Sequence, residues 1–134
     1  MASRKLETWL SLHEYNLDTL YQAIAHVVAK TTVQRPLYKY AMRTILTRYE
    51  TAETANSEAV FVHLFDTYYA KDKELASEAV WQRIEYKANL YRPNLLGNTT
   101  PHIQLEDVAG KPFSVEKMDG ELIRLYFFSP QCAR

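Results

Sequence analysis

The spacing of apolar residues changes from helical to alternating near residue 95, and this change rules out one uninterrupted architecture for the chain. Upstream, Leu17, Leu20, Ile24, Val27 and Val28 fall on one helical face, with Asn16 or Asp18 available as N-cap. The step Arg35-Pro36 interrupts that pattern, because the residue before a proline disfavours helix, and proline then suits the first turn of a second helix over about 36–50. Asn56 and Ser57 offer the next cap. Ala59, Val60, Val62, Leu64 and Phe65, up to Tyr69, are apolar on more than one face, so this third helix is expected to lie centrally. A charged link, Lys71-Asp72-Lys73-Glu74, leads to a fourth helix with Leu75, Ala79, Ile84, Ala88 and Tyr91 on one face, ended by Arg92-Pro93.

Residues 1–95 therefore read as an all-helical domain of about four main helices. Residues 96–134 read differently. Ile103, Leu105 and, less regularly, Val108 alternate with polar residues before Ala109-Gly110-Lys111, and Phe113 and Val115 alternate after it, which is the pattern of a β-hairpin. The more continuously apolar run 122–128 reads as a strand covered on both faces, as in the centre of an α/β sheet. The expected fold class is α+β, a helical N-terminal domain followed by a hairpin and one further strand.

Composition narrows the function. Sixteen basic residues balance sixteen acidic ones, so no long-range field would draw in nucleic acid, and no nucleic-acid partner is expected. No run of apolar residues reaches the length of a bilayer span, and Met1-Ala2-Ser3-Arg4-Lys5 is followed by no apolar h-region, so neither a transmembrane segment nor a signal peptide is expected within this chain. A single cysteine excludes an internal disulfide and any cysteine-based zinc cluster. His13, His26, His63 and His102 are dispersed without ligand spacing, and neither metal nor cofactor is expected. Glu50, Glu53 and Glu58 surround a helix junction, where acids serve the helix dipole, and receive no catalytic role. Tyr15, Tyr21, Tyr38, Tyr40, Tyr49, Tyr68, Tyr69, Tyr86 and Tyr91 could line a groove, but tyrosines bridging core and surface of a small bundle are the expectation. There is no Gly-rich phosphate loop, Ser-His-Asp order or dinucleotide fingerprint.

The remaining candidate is Cys132. The apolar residues Leu125, Tyr126, Phe127 and Phe128 run into Ser129-Pro130-Gln131-Cys132, and before them come Pro101, the alternating stretch, Asp107-Val108-Ala109-Gly110-Lys111, Ser114 and Gly120. In that order and spacing, the stretch from Gly97 to Cys132 resembles the opening of envelope thioredoxin-like proteins of the TlpA and peroxiredoxin-like group. The helical part, with Tyr21, the Pro36 helix, the region from Phe65 to Tyr69 and Tyr91-Arg92-Pro93-Asn94-Leu95-Leu96-Gly97, is similar to the domain of uncharacterised function that precedes such a domain in a set of Gram-negative envelope proteins. The resemblance implies a thiol-disulfide oxidoreductase of the cell envelope or periplasm, with Cys132 as attacking thiol and protein thiols or disulfides as partners. It also implies domains at 1–95 and 96–134, the second being the truncated front of a thioredoxin-like fold. The partner of a Cys-x-x-Cys motif would fall one place beyond Arg134, so dithiol exchange by these 134 residues themselves is not expected. A non-enzymatic helical interaction module is the alternative. The strand expected at 122–128, lacking its sheet, is expected to pair with a second copy or to fold on the helical domain.

Overall fold

The computed structural model describes residues 2–51, 54, 56–99 and 102–126. They belong to two compact units, Met1–Thr99 and Thr100–Arg134. The first is built from five α-helices: α1 (Ala2–Ser11), α2 (Leu17–Thr31), α3 (Arg35–Thr51), α4 (Ser57–Leu64) and α5 (Glu78–Tyr91). No helix among the described residues is long and apolar enough to cross a membrane.

Local chemistry sets where these helices start. The Asn16 side-chain oxygen accepts the backbone N–H of Asp18 at 2.8 Å and of Thr19 at 3.2 Å, satisfying two of the donors left open by the first turn of α2. At α3 the proline sits in the second position, where its missing N–H costs no helical bond. Packing then selects faces: α2 buries Leu20, Ala23 and Ile24, α3 buries Tyr38, Met42, Ile45 and Tyr49, and α5 buries Trp81, Ile84 and Ala88. Each large apolar side chain removed from water in this way contributes about 1.5–3 kcal/mol before entropy is counted.

The third expected helix does lie centrally. Val60, Phe61, Val62 and Leu64 of α4 are all buried, and α4 packs against both α3 and α5. It runs on into a π-helical turn, Phe65–Tyr69, closed by the Ala70 N–H donating to the Phe65 carbonyl at 2.8 Å. Short 3-10 turns follow at Lys73–Leu75 and at Arg92–Asn94.

Helix α1 is the element that sequence reading did not anticipate. Its Leu10 is fully buried, Leu6 and Trp9 pack on the same core, and the helix lies against α2 and α3. Just beyond it Glu14 accepts Arg48 Nε at 3.0 Å, Arg48 Nη2 at 2.7 Å and the Tyr49 hydroxyl at 3.3 Å, tying the α1–α2 link to α3.

The second unit contains an antiparallel hairpin, β1 (Gln104–Glu106) and β2 (Pro112–Ser114), in the register Gln104 to Ser114, Leu105 to Phe113 and Glu106 to Pro112. The strand expected at 122–128 is not formed over its described part. Residues 122–126 run as irregular backbone, and Leu122 and Tyr126 are 85% and 82% exposed. An apolar run becomes a strand only where a neighbour completes its hydrogen-bond ladder, and here the ladder ends with the two-stranded sheet. Residues 122–126 thus carry no strand within the single chain, and residues 127 and 128 lie outside the described residues.

Candidate functional site

Cys132 lies outside the described residues, and the hairpin precedes it in the second unit. Asp107 organises its loop. One side-chain oxygen of Asp107 accepts the backbone N–H groups of Ala109 at 2.8 Å and Lys111 at 2.9 Å, while its carbonyl accepts Gly110 N–H at 2.9 Å. Gly110 takes φ of 76°, a left-handed conformation that explains why glycine stands at this place in Asp-x-x-Gly-Lys. Leu105 and Phe113 then meet across the strands, both more than 40% exposed at 44% and 42%. On the same unit His102 Nδ1 pairs with the Glu116 carboxylate.

In the helical unit the histidines take separate places. His13 Nδ1 lies 3.0 Å from the Trp9 carbonyl, and the rings of Trp9 and His13 are 4.8 Å apart. His63 stacks on Tyr21, with centroids 3.9 Å apart, and meets Tyr68 edge-on at 6.3 Å. Burial lowers the His63 pKa, partly opposed by Asp66, and burial raises that of Tyr21. Among the described residues no group of three or more His, Cys, Asp or Glu side chains could hold a metal ion.

Most of the tyrosines serve the core. Tyr38, Tyr49 and Tyr69 are buried, Tyr21, Tyr68 and Tyr91 pack on the core from its edge, and Tyr15, Tyr40 and Tyr86 are exposed. Burial, followed by the Glu14 charge, pushes the Tyr49 phenol up to about 12. Glu58 is exposed on α4, and Glu53 lies outside the described residues.

Glu50 has a distinct environment. Only 10% of its side chain is exposed, and it receives Lys87 Nζ at 2.9 Å together with Arg83 Nη1, both from α5. A carboxylate in the last turn of α3 opposes the helix dipole, and the two cations offset that cost while fastening α3 to α5. Beside this bridge a cleft of about 610 Å³ opens between the two helices. Leu46, Tyr69, Leu75 and Ile84 form its buried floor, and Lys39, Tyr40, Arg43 and Thr47 of α3 face Val80 and Arg83 of α5 across it. Sequence reading missed this cleft. The one signal available was the repeat of Lys39, Arg43 and Thr47 at four-residue spacing on α3.

Comparison with protein-family models, with curated proteins and with solved structures finds no match to this chain.

Proposed function

We propose that this chain is the leading part of a thioredoxin-like thiol-disulfide oxidoreductase of the cell envelope, in which the helical unit engages a protein partner and Cys132 is the attacking thiol. The observation that supports this reading is the hairpin of the second unit. Strand, Asp107-organised turn with glycine at its left-handed position, and returning strand come in the order that the resemblance implies, upstream of Cys132. In such an enzyme the thiolate attacks a partner disulfide, expelling one partner sulfur as thiolate, and a second enzyme cysteine then displaces the other.

The encoded sequence after Arg134 supplies the test. The proposal requires a cysteine at the next position followed by an amphipathic helix. On that extended chain, replacing the second cysteine by serine should trap a mixed disulfide through Cys132, and Cys132→Ser should abolish trapping. A stop codon, unrelated sequence or trapping independent of Cys132 would overturn the proposal.

A second reading, a helical interaction module without redox chemistry, is favoured by one observation. The helical unit holds its own core, from Leu10 to Ala88, together with the cleft between α3 and α5. The same extended sequence separates the two.

A further inference from the structure

The cleft between α3 and α5 has a charge pattern that its structural role does not require. Three cations, Lys39, Arg43 and Arg83, line it against one carboxylate, Glu50, and that carboxylate is already held by Arg83 and by Lys87. Arg43 enters no ion pair among the described residues, yet its charge reaches the buried Tyr69 phenol and opposes the rise in its pKa that burial causes. A guanidinium without an ion-pair partner, at the rim of an apolar floor, offers an oxyanion a fork of N–H donors that can bind it in two places at once. Of the three arginines of α3, Arg35 is paired with Asp72 and Glu74 and Arg48 with Glu14.

The cleft is large enough to admit a small ligand. The volume falls within the range of roughly 300–1,000 Å³ of small-molecule sites, and such sites are lined mainly by apolar groups with a few convergent polar ones. Tyr40 and Val80, 47% and 39% exposed, stand on opposite banks with apolar surface turned to solvent at the mouth. The two helices hold the banks apart because α4 packs against both, and the Glu50 bridge fixes their separation.

We propose that this cleft binds a small amphiphilic oxyanion, a phosphate or carboxylate carried on an aromatic or aliphatic body. The head group lies against Arg43, with Lys39 and Arg83 flanking it, and the body lies on Leu46, Leu75 and Val80. This site is independent of Cys132 and of the redox proposal, so either can fail alone.

The probe is 1-naphthyl phosphate, titrated into the whole chain by calorimetry and by backbone amide NMR, with 1-naphthoate, inorganic phosphate and 1-naphthol as comparisons. A ligand of this size in a fitting cleft should bind one-to-one with Kd below about 1 mM, and amide shifts should concentrate at 39–50 and 75–87. Inorganic phosphate, lacking the body, and 1-naphthol, lacking the charge, should each bind about tenfold more weakly or worse. The ratio of naphthoate to naphthyl phosphate affinity reports which head group is preferred. Arg43→Gln should weaken naphthyl phosphate about tenfold, and Val80→Trp, placed from the opposite bank, should block the body. Both positions are exposed, and Lys5→Gln on α1 serves as a charge-matched control that leaves binding unchanged. No saturable binding, equal binding by Arg43→Gln, or shifts centred outside the cleft would overturn the proposal.

Discussion

The indole Nε1 of Trp81 donates to the backbone carbonyl of Tyr69 at 2.9 Å, in a place shielded from water. Tyr69 ends the π-helical turn, and its carbonyl accepts the Asp72 backbone N–H at 3.3 Å, so a side chain of α5 supplies the shorter of two bonds to the segment after α4. Trp81 is also packed on Phe65 at 5.6 Å and lies under the Lys73 ammonium at 4.4 Å. Trp81→Phe keeps an aromatic ring but removes the donor, and it should cost about 1–3 kcal/mol. Trp81→Ala removes the ring as well and should cost about 3–5 kcal/mol. Urea unfolding followed by far-UV circular dichroism measures both, and a Trp81→Phe variant as stable as the parent would show that the hydrogen bond contributes nothing beyond packing.

Alkaline stability should depend on Tyr49. Its folded pKa, about 12, lies above its ordinary value of 10.0, so the folded chain holds this proton more tightly than the unfolded one. The resulting stability is fully present below pH 10 and is lost as pH rises through 12. The loss should be on the order of 2 kcal/mol for this group alone. Tyr49→Phe should unfold less steeply over that window, while Tyr69, raised in the same direction, keeps some slope. Identical alkaline unfolding curves for the variant and the parent would contradict the assignment.

His63 should act at the other end of the pH range. Burial lowers its pKa from 6.5, so the folded chain binds this proton less readily than the unfolded chain does. Stability contributed by neutral His63 is present above pH 6.5 and falls as pH drops below it. Asp66 moderates the effect by favouring the charged ring, and Thr67 Oγ1 lies 3.4 Å from its Nδ1. The proton resonances of the His63 ring should titrate with a midpoint below 6.5, and His63→Phe, which keeps the stack on Tyr21, should flatten the acid limb of the stability curve. A midpoint above 6.5 would reverse the sign.

The hairpin should fail locally when its turn is altered. Gly110→Ala places a Cβ at φ of 76°, which costs about 1–2 kcal/mol although there is open space around it. Asp107→Ala removes the acceptor of two backbone N–H groups. Either change should weaken the cross-strand contacts between Leu105 and Phe113 seen by NMR, while helical signals from residues 4–95 stay in place. Persistence of the cross-strand contacts in both variants would show that the ladder, rather than the turn, fixes the register.

Patterns confined to a few residues were legible without coordinates. A cap at Asn16 or Asp18, the break before Pro36, the all-round apolar character of 59–65 and the turn at Asp107 to Lys111 each depend on neighbours in sequence, and each appears where it was expected, with Asn16 as the cap. Tertiary structure decided the rest. A ten-residue helix such as α1 is marginal by itself, and it exists here because Leu10 finds a core supplied by α2 and α3. The run 122–126 has the composition of a strand, but a ladder needs a partner that local composition cannot supply. The cleft joins residues 39–50 to residues 75–84, and only the packing of α4 between their helices brings Arg43 and Arg83 to one opening. Periodicity and caps are written into adjacent residues, whereas ladders, clefts and the burial of Glu50 depend on residues that meet only when the chain is folded.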